Sequence, residues 1–211
     1  MNQKEYWDKA ALKKEFTTPF QMESFKSYVS KDAIILDVGC GYGRILNALF
    51  QEGYKKNCGI DFSQKMIERG NRVYPHLDLK HCGAVFPFED NTFDAVVLIA
   101  VLTCIVKDEK QEQLVGEIER VLKPQGILYV NDFLINQDQR NVDRYNTFKD
   151  VYNTYGVFEL DEGAQLRHHT IDHLFRLTQN FKTRQFKPLV YTTMNHHVAN
   201  GFYYLGKLQK T

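Results

Sequence analysis

No stretch of this chain approaches the roughly 18 apolar residues that a membrane-spanning helix requires. The longest candidate, 95–106, contains Thr103 and is bounded by Asp94 and Lys107, a pattern that predicts a buried strand with its exit loop and no membrane partner. Cysteine is scarce and scattered: Cys40, Cys58, Cys82 and Cys104 form no C-x-x-C pair, which excludes a zinc knuckle or a redox dithiol of the usual spacing and predicts reduced thiols. Charge of one sign is not in excess either. Lys and Arg number 27 against 26 Asp and Glu, for a formal net charge of +1. The basic footprint of a protein that neutralises phosphates is therefore missing, and nucleic acid is not the expected partner. The first residues mix both charge signs with no apolar run behind them, so no secretory signal is visible and a cytoplasmic location is expected. No internal repeat or low-complexity linker interrupts the chain.

What remains is a composition of 43% apolar and 25% charged residues over 211 positions, enough to bury a core without disulfide staples. A single domain over 1–211 is expected, with 1–30 as a helical N-terminal lid and 136–169 as an insert on the substrate side. The apolar run 33–38 reads as a strand buried on both faces, and 45–50 follows helical spacing. A second strand is expected at 58–61, after which Ser63 caps a helix that begins at Gln64 with Met66 and Ile67 on its apolar side. Residues 93–99 form another apolar strand. Asp108 then opens a helix whose Leu114, Ile118, Val121 and Leu122 recur at i, i+4, i+7 and i+8. Leu122-Lys123-Pro124-Gln125-Gly126 ends that helix, and 127–133 is the next strand. Strands alternating with helices imply parallel pairing, because each parallel connection must cross over. The expected class is α/β: a doubly wound, mostly parallel seven-stranded sheet with helices on both faces. Residues 186–191 and 201–208 add an antiparallel closing hairpin. The polar, aromatic-rich segment 136–169 shows no strand pattern, and Thr170 caps a helix expected to run to about Asn180.

The most informative segment follows the first strand, where Gly39, Gly41 and Gly43 precede a helix. Such a turn lets a ligand lie against bare backbone, with helix N-terminal amides free for an anionic group. A dinucleotide fingerprint would need a glycine where Arg44 stands, and no Gly-Lys-Ser/Thr follows to make a P-loop. Asp61 lies 18 residues beyond Gly43, at the end of the second strand. A carboxylate there accepts both hydroxyls of a ribose and repels a 2′-phosphate; the alternative is that it merely caps the next helix. Asp37, beside the turn, disfavours a pyrophosphate and suits an ammonium group. Together they describe a site for a nucleoside without a diphosphate.

In Leu36-Asp37-Val38-Gly39-Cys40-Gly41-Tyr42-Gly43, Gly59-Ile60-Asp61-Phe62-Ser63, the loop 86–94 and the turn 122–126, the chain resembles the class I S-adenosylmethionine-dependent methyltransferases, particularly the small-molecule type. The resemblance is dense over about 33–134. It implies a Rossmann-like methyltransferase fold with S-adenosyl-L-methionine as cofactor. By the same resemblance, the turn carrying Asp37, Gly39, Cys40, Gly41 and Gly43 holds the methionine end and Asp61 the ribose. Phe62 and Met66 face the adenine, Gly83, Ala84 and Val85 run along its edge, and Ile99 and Ala100 lie beneath the sulfonium. Core packing accounts for Phe62 and Met66 nearly as well. Cys82 stands where many relatives carry an Asp that meets the adenine amino group. The Asn/Asp-Pro-Pro-Tyr motif of nucleic-acid amino methyltransferases is replaced by Ile99-Ala100-Val101-Leu102, which argues against that chemistry.

For a reactive sulfonium donor, the enzyme's main task is to hold a nucleophile about 3 Å from the methyl carbon, in line, and to exclude water. Tyr145, Phe148, Tyr152 and Tyr155 recur at i, i+3, i+7 and i+10; they form either an aromatic wall over the methyl group or a helix face packed on the domain. His168 and His169 follow, and His is the natural base near neutral pH. His168, His169 and Tyr145 are thus the candidate catalytic groups, and Tyr6, Tyr145, Phe148, Tyr152, His168 and His169 the candidate acceptor contacts. Trp7, Phe16 and Phe20 either cover the cofactor or staple the N-terminal helix. His169 and His173 have metal-ligand spacing but no third ligand, so no metal is expected. The expected function is transfer of a methyl group to a small molecule by in-line displacement; the alternatives are an RNA or protein acceptor, or a non-catalytic S-adenosylmethionine-binding protein.

Overall fold

The computed structural model describes residues 3–11, 14–194 and 196–210. Met1, Asn2, Leu12 and Lys13 of the expected lid, Asn195 of the hairpin connection, and Thr211 lie outside the described residues. Two short helices, α1 (Gln3–Ala10) and α2 (Met22–Lys26), precede β1 (Ile35–Val38), α3 (Arg44–Gln51), β2 (Asn57–Asp61), α4 (Gln64–Val73) and β3 (Asp78–His81). Then follow β4 (Phe93–Ile99), a 3-10 turn (Leu102–Cys104), α5 (Asp108–Val121), β5 (Leu122–Phe133), α6 (Gln139–Tyr152) and a small hairpin of β6 (Val157–Glu159) and β7 (Gln165–Arg167). The chain closes through α7 (Ile171–Leu177), β8 (Phe181–Thr192) and β9 (Val198–Leu208).

Seven strands form one sheet in the order β3-β2-β1-β4-β5-β9-β8. The first five strands of the chain pair in parallel, while β9 runs antiparallel between β5 and β8. The chain leaves β1 toward β2 and β3, then returns to the other side of β1 with β4. That reversal opens a crevice at the carboxyl ends of β1 and β4, where ligands of open α/β sheets bind. Register Val38↔Leu98 brings the residues just after them, Gly39 and Ile99, to the same edge of the sheet.

All residues of β1 are buried because both faces are covered. Leu36, Val38, Val96, Leu98, Leu128 and Val130 pack on Val115 and Ile118 of α5 and on Leu174 and Leu177 of α7. The alternate positions, Ile35, Ala95, Val97, Ile127 and Tyr129, pack on Phe25, Ile45, Leu49 and Tyr54. Burying each such side chain stabilises the fold by about 1.5–3 kcal/mol. Helix α4 starts where expected, with Ser63 Oγ accepting from Met66 N at 3.2 Å.

Several elements differ from the sequence-based expectation. Strand β5 begins at Leu122, taking in the segment 122–126 expected as a turn before a strand at 127–133. Edge strand β3 buries Leu79 alone of its residues, too little alternation to announce a strand. The insert contains the β6–β7 hairpin, whose strands of three residues each are too short to carry a period of two. Both closing strands extend well beyond 186–191 and 201–208, because β8 is an edge strand with exposed lysines and arginine that mask its pattern. In addition, α7 ends at Leu177 rather than near Asn180. No helix among the described residues is long and apolar enough to cross a membrane.

Candidate functional site

At the carboxyl end of β1 the backbone turns through Gly39, Gly41 and Gly43 with φ of +68°, +56° and +88°, a region L side chains rarely adopt. Space is also tight: a Cβ at Gly39 would lie 2.4 Å from Val101 Cγ2, and one at Gly41 2.7 Å from a Phe16 ring carbon. Gly43 is the N-cap of α3. Asp61 is fixed against this turn, Oδ2 accepting from Gly41 N and Oδ1 from Ser63 N, each at 2.8 Å. Each oxygen keeps a second lone pair for a ligand hydroxyl. Burial raises the Asp61 carboxyl above the usual range, the two amides opposing the shift.

Asp37 is 2% exposed, and its Oδ2 is buried without a partner. Burial, reinforced by the charge of Asp61, pushes its carboxyl up to about 8. Buried polar atoms are normally satisfied, so this oxygen lacks a hydrogen bond that its burial calls for, on a residue that lines the crevice. Trp7 Nε1, Arg44 Nε, Thr103 Oγ1 and Arg144 Nε are likewise buried and without partners, on residues that line the same cavity. Ala100 adds backbone strain at the crevice, holding φ at +54°, at a cost of about 1–2 kcal/mol for a residue with a Cβ.

The cavity encloses ≈ 1240 Å³, more than the roughly 300–1,000 Å³ typical of one small-ligand site, and so has room for two molecules. Of the residues expected around the cofactor, Asp37, Gly39, Cys40, Gly41, Asp61, Phe62, Met66, Ile99 and Ala100 line it. Phe62 is 39% exposed, so core packing does not account for it, whereas Met66 is 1% exposed and packs with Tyr6, Ala10 and Tyr42. Gly43 does not line the cavity, nor do Gly83, Ala84 and Val85; Val85 is 77% exposed. The thiol of Cys82 contacts the Gly83 and Val85 carbonyls instead of the cavity.

The other end is built by β5, α6, the β6–β7 hairpin and the β8–β9 connection. Phe148 and His168 line it; Tyr6, Tyr145, Tyr152 and His169 do not. Tyr145 is fully buried behind it, packed on Tyr155, Phe158 and His168. Tyr152 Oη bonds Glu159 and Gln165, tying α6 to the hairpin. His169 belongs to a buried chain in which Gln111 Nε2 reaches His169 Nε2 at 2.9 Å and Gln111 Oε1 reaches His173 Nε2 at 2.6 Å. The amide nitrogen donates to His169 Nε2, while His173 donates from Nε2 to the amide oxygen and accepts at Nδ1 from Arg176 Nη2 at 2.8 Å, so each ring keeps one unprotonated nitrogen and is neutral. Burial accordingly pushes His169 down to about 3 and His173 to about 4.

His168 stacks on Phe133, with ring centroids 5.2 Å apart and planes at 13°. Its Nδ1 lies 2.5 Å from Tyr145 Oη and 3.4 Å from Asn136 Nδ2. Asn136 is oriented by backbone, since its Oδ1 accepts from Asn200 N and its Nδ2 donates to Leu134 O. Nδ1 therefore accepts, and the ring proton resides on Nε2. Burial holds this imidazole well below its ordinary pKa. The result is a neutral hydrogen-bond donor at the cavity wall, not a base.

Arg140, Asn141, Arg144 and Phe158 also line this end, and sequence reasoning passed over them. Arg140, Arg144 and Phe148 recur at i, i+4 and i+8, so the signal was present, but arginines on a mostly polar helix read as a solvated face.

Residues 36–130 match a family model described as a methyltransferase domain. The sterol 4-C-methyltransferase strm-1 of Caenorhabditis elegans is 31% identical over 150 residues, covering 67% of this chain and 44% of that protein. The tRNA N(3)-cytidine methyltransferase METTL2 of Mus musculus is 32% identical over 111 residues, covering 47% of this chain and 28% of that protein. This chain thus spans less than half the length of either relative. Among solved structures, a SAM-dependent methyltransferase from Methanosarcina mazei matches with a TM-score of 0.86 at 24% identity, over 92% of this chain and 100% of that one. The 1,6-didemethyltoxoflavin-N1-methyltransferase of Burkholderia thailandensis, solved with 1,6-didemethyltoxoflavin and S-adenosylhomocysteine, matches with a TM-score of 0.65 at 13% identity, over 89% and 76% of the two chains. The matched segment, 36–130, begins in β1, includes the glycine turn and Asp61, and ends in β5. Residues 36–130 thus carry a methyltransferase domain, and the chain as a whole has the fold of S-adenosylmethionine-dependent methyltransferases of known structure.

Proposed function

We propose that this protein transfers a methyl group from S-adenosylmethionine to a small-molecule acceptor by in-line displacement. One observation carries the reading: a single cavity joins the glycine turn, with Asp37 and Asp61, to an aromatic compartment of Phe133, Phe148, Phe158 and His168. The residues suit the cofactor. The unpartnered Asp37 oxygen fits an ammonium group, Asp61 fits a ribose diol, and the turn has no side chain at Gly39 or Gly41 to exclude the amino-acid end.

When bound, the cofactor supplies an electrophilic methyl group on a sulfonium. Asp37 would hold the ammonium group and Asp61 the ribose diol, with Ile99 and Ala100 beside the sulfonium between them. Phe133, Phe148 and Phe158 hold an apolar acceptor body and keep water from competing, so that the chain contributes mainly orientation. His168 donates through Nε2 and removes no proton. The acceptor atom is accordingly nucleophilic as bound, such as a neutral amine, a thiolate or an already ionised oxygen.

Transfer to RNA is the second reading, favoured by the likeness to tRNA methyltransferases. Calorimetry should register S-adenosylhomocysteine binding while NAD gives no heat, and Asp61→Ala should weaken binding at least tenfold by removing a charged acceptor. Labelled donor incubated with metabolite, RNA and protein fractions should mark the metabolites; label confined to RNA would establish the second reading instead.

A further inference from the structure

We propose that the methyl acceptor carries a carboxylate and that Arg144 holds it, with the Nε2–H of His168 as a second donor. This rests on the methyl-transfer reading above and narrows it to one class of substrate.

Arg144 lines the cavity from α6, with its guanidinium carbon 3.5 Å from the centroid of the Phe158 ring. Asn141 Oδ1 accepts from its Nη2, which fixes the plane of the fork. Its Nε is buried and unpartnered, and among the described residues it forms no ion pair. Burial lowers its pKa to about 10, so it is still charged at neutral pH. A guanidinium taken partly out of water with no ion pair, and only Asp138 acting on it through Asn141, is costly, and an anionic ligand would offset that cost. One turn earlier, Arg140 also lines the cavity and meets Asp138 only at 3.9 Å. Two arginines thus face the same compartment.

The acids on this rim do not cancel them. Glu159 accepts from Tyr152 and Gln165, and Glu162 pairs with Lys14 at 3.4 Å. Asp161 is exposed in the hairpin turn. A planar fork matches the two oxygens of a carboxylate better than a lysine ammonium would. The imidazole beside it is locked in the donor tautomer, which suits an oxygen acceptor on the ligand. Arg44, on α3 at the glycine turn, stands with the cofactor residues; Arg144 stands with Phe148 and Phe158, on the acceptor side.

The test divides a metabolite extract by anion exchange before reaction, then incubates each fraction with labelled donor and protein. Label should enter the anionic fraction. Arg144→Gln should lower that transfer about ten- to a hundredfold and Arg144→Lys should restore part of it, while both variants bind S-adenosylhomocysteine within twofold of the parent. Label only from the unretained fraction, or equal transfer by Arg144→Gln, overturns the assignment. Weakened S-adenosylhomocysteine binding in a variant that melts like the parent overturns it too, since Arg144 would then serve the cofactor. If the unmodified protein binds no S-adenosylhomocysteine, or labels neither fraction, the methyl-transfer reading itself falls, and this one with it.

Discussion

Asp37 concentrates the site's chemistry in one carboxyl group. Raised to about 8 in the free protein by burial and by Asp61, it is protonated at neutral pH until a cation arrives to ionise it. Cofactor binding should therefore release close to one proton near pH 7, and affinity should rise with pH until about 8. Calorimetry in two buffers of different ionisation enthalpy reads this directly, and identical heats would contradict it. The linkage to stability has a definite sign. A carboxyl whose folded pKa exceeds its unfolded value binds more protons when folded, so the free protein loses stability from that group as pH rises from about 4 toward 8, by at most about 1.4 kcal/mol per pH unit. Asp37→Asn should flatten that slope while weakening S-adenosylhomocysteine, measured by melting curves across pH and by titration.

Among the elements, the insert is docked by a buried side chain of α5. Gln111 is fully buried; its Nε2 shares two hydrogens among Leu102 O, Ile105 O and His169 Nε2, and its Oε1 accepts from His173 Nε2. Gln111→Leu leaves Nε2 of both imidazoles without a partner and should destabilise the protein by about 2–4 kcal/mol, read as a lower urea midpoint. The histidines also make this docking acid-sensitive. With folded pKa values depressed to about 3 and 4, their contribution is complete above about 6.5 and drains away as pH falls toward those values. Amide exchange at pH 5 against pH 7, corrected for intrinsic rates, should speed up first in 165–177.

This part of the molecule was also the least legible in the sequence. Strands β1 and β4 announced themselves as continuous apolar runs because they are buried on both faces, and Gly39 to Gly43 and Asp61 because their residue types are chemically constrained. The β6–β7 hairpin has too few residues for a period. Tyr145 and Tyr152 carried an aromatic stripe that proved to brace His168 and Glu159, while Arg140 and Arg144 shared a helical spacing with Phe148 that reads equally well as a solvated face. Gln111 had no signal at all, since its partners lie 58 and 62 residues away.

For the molecule as a whole, the cavity lies between the parallel part of the sheet and the two segments that cover it, the N-terminal region through Trp7 and Phe16 and the insert through Phe148 and Phe158. A ligand spanning both should stabilise the entire fold. At a hundredfold excess over its dissociation constant, S-adenosylhomocysteine should add about 2.7 kcal/mol, seen as a concentration-dependent rise in melting temperature; a rise no larger at that excess than at equivalence would mean the ligand does not bind the native state. The strand order carries a different consequence. Strand β9 follows β8 in the chain yet lies inside the sheet, bonded to β5 on one side and β8 on the other. In chain order β8 precedes the strand it pairs with, and β5 has β9 as its partner on the side away from β4. Removing 198–208 would not trim an edge but leave a slot one strand wide between β5 and β8, severing β8 from the rest of the sheet.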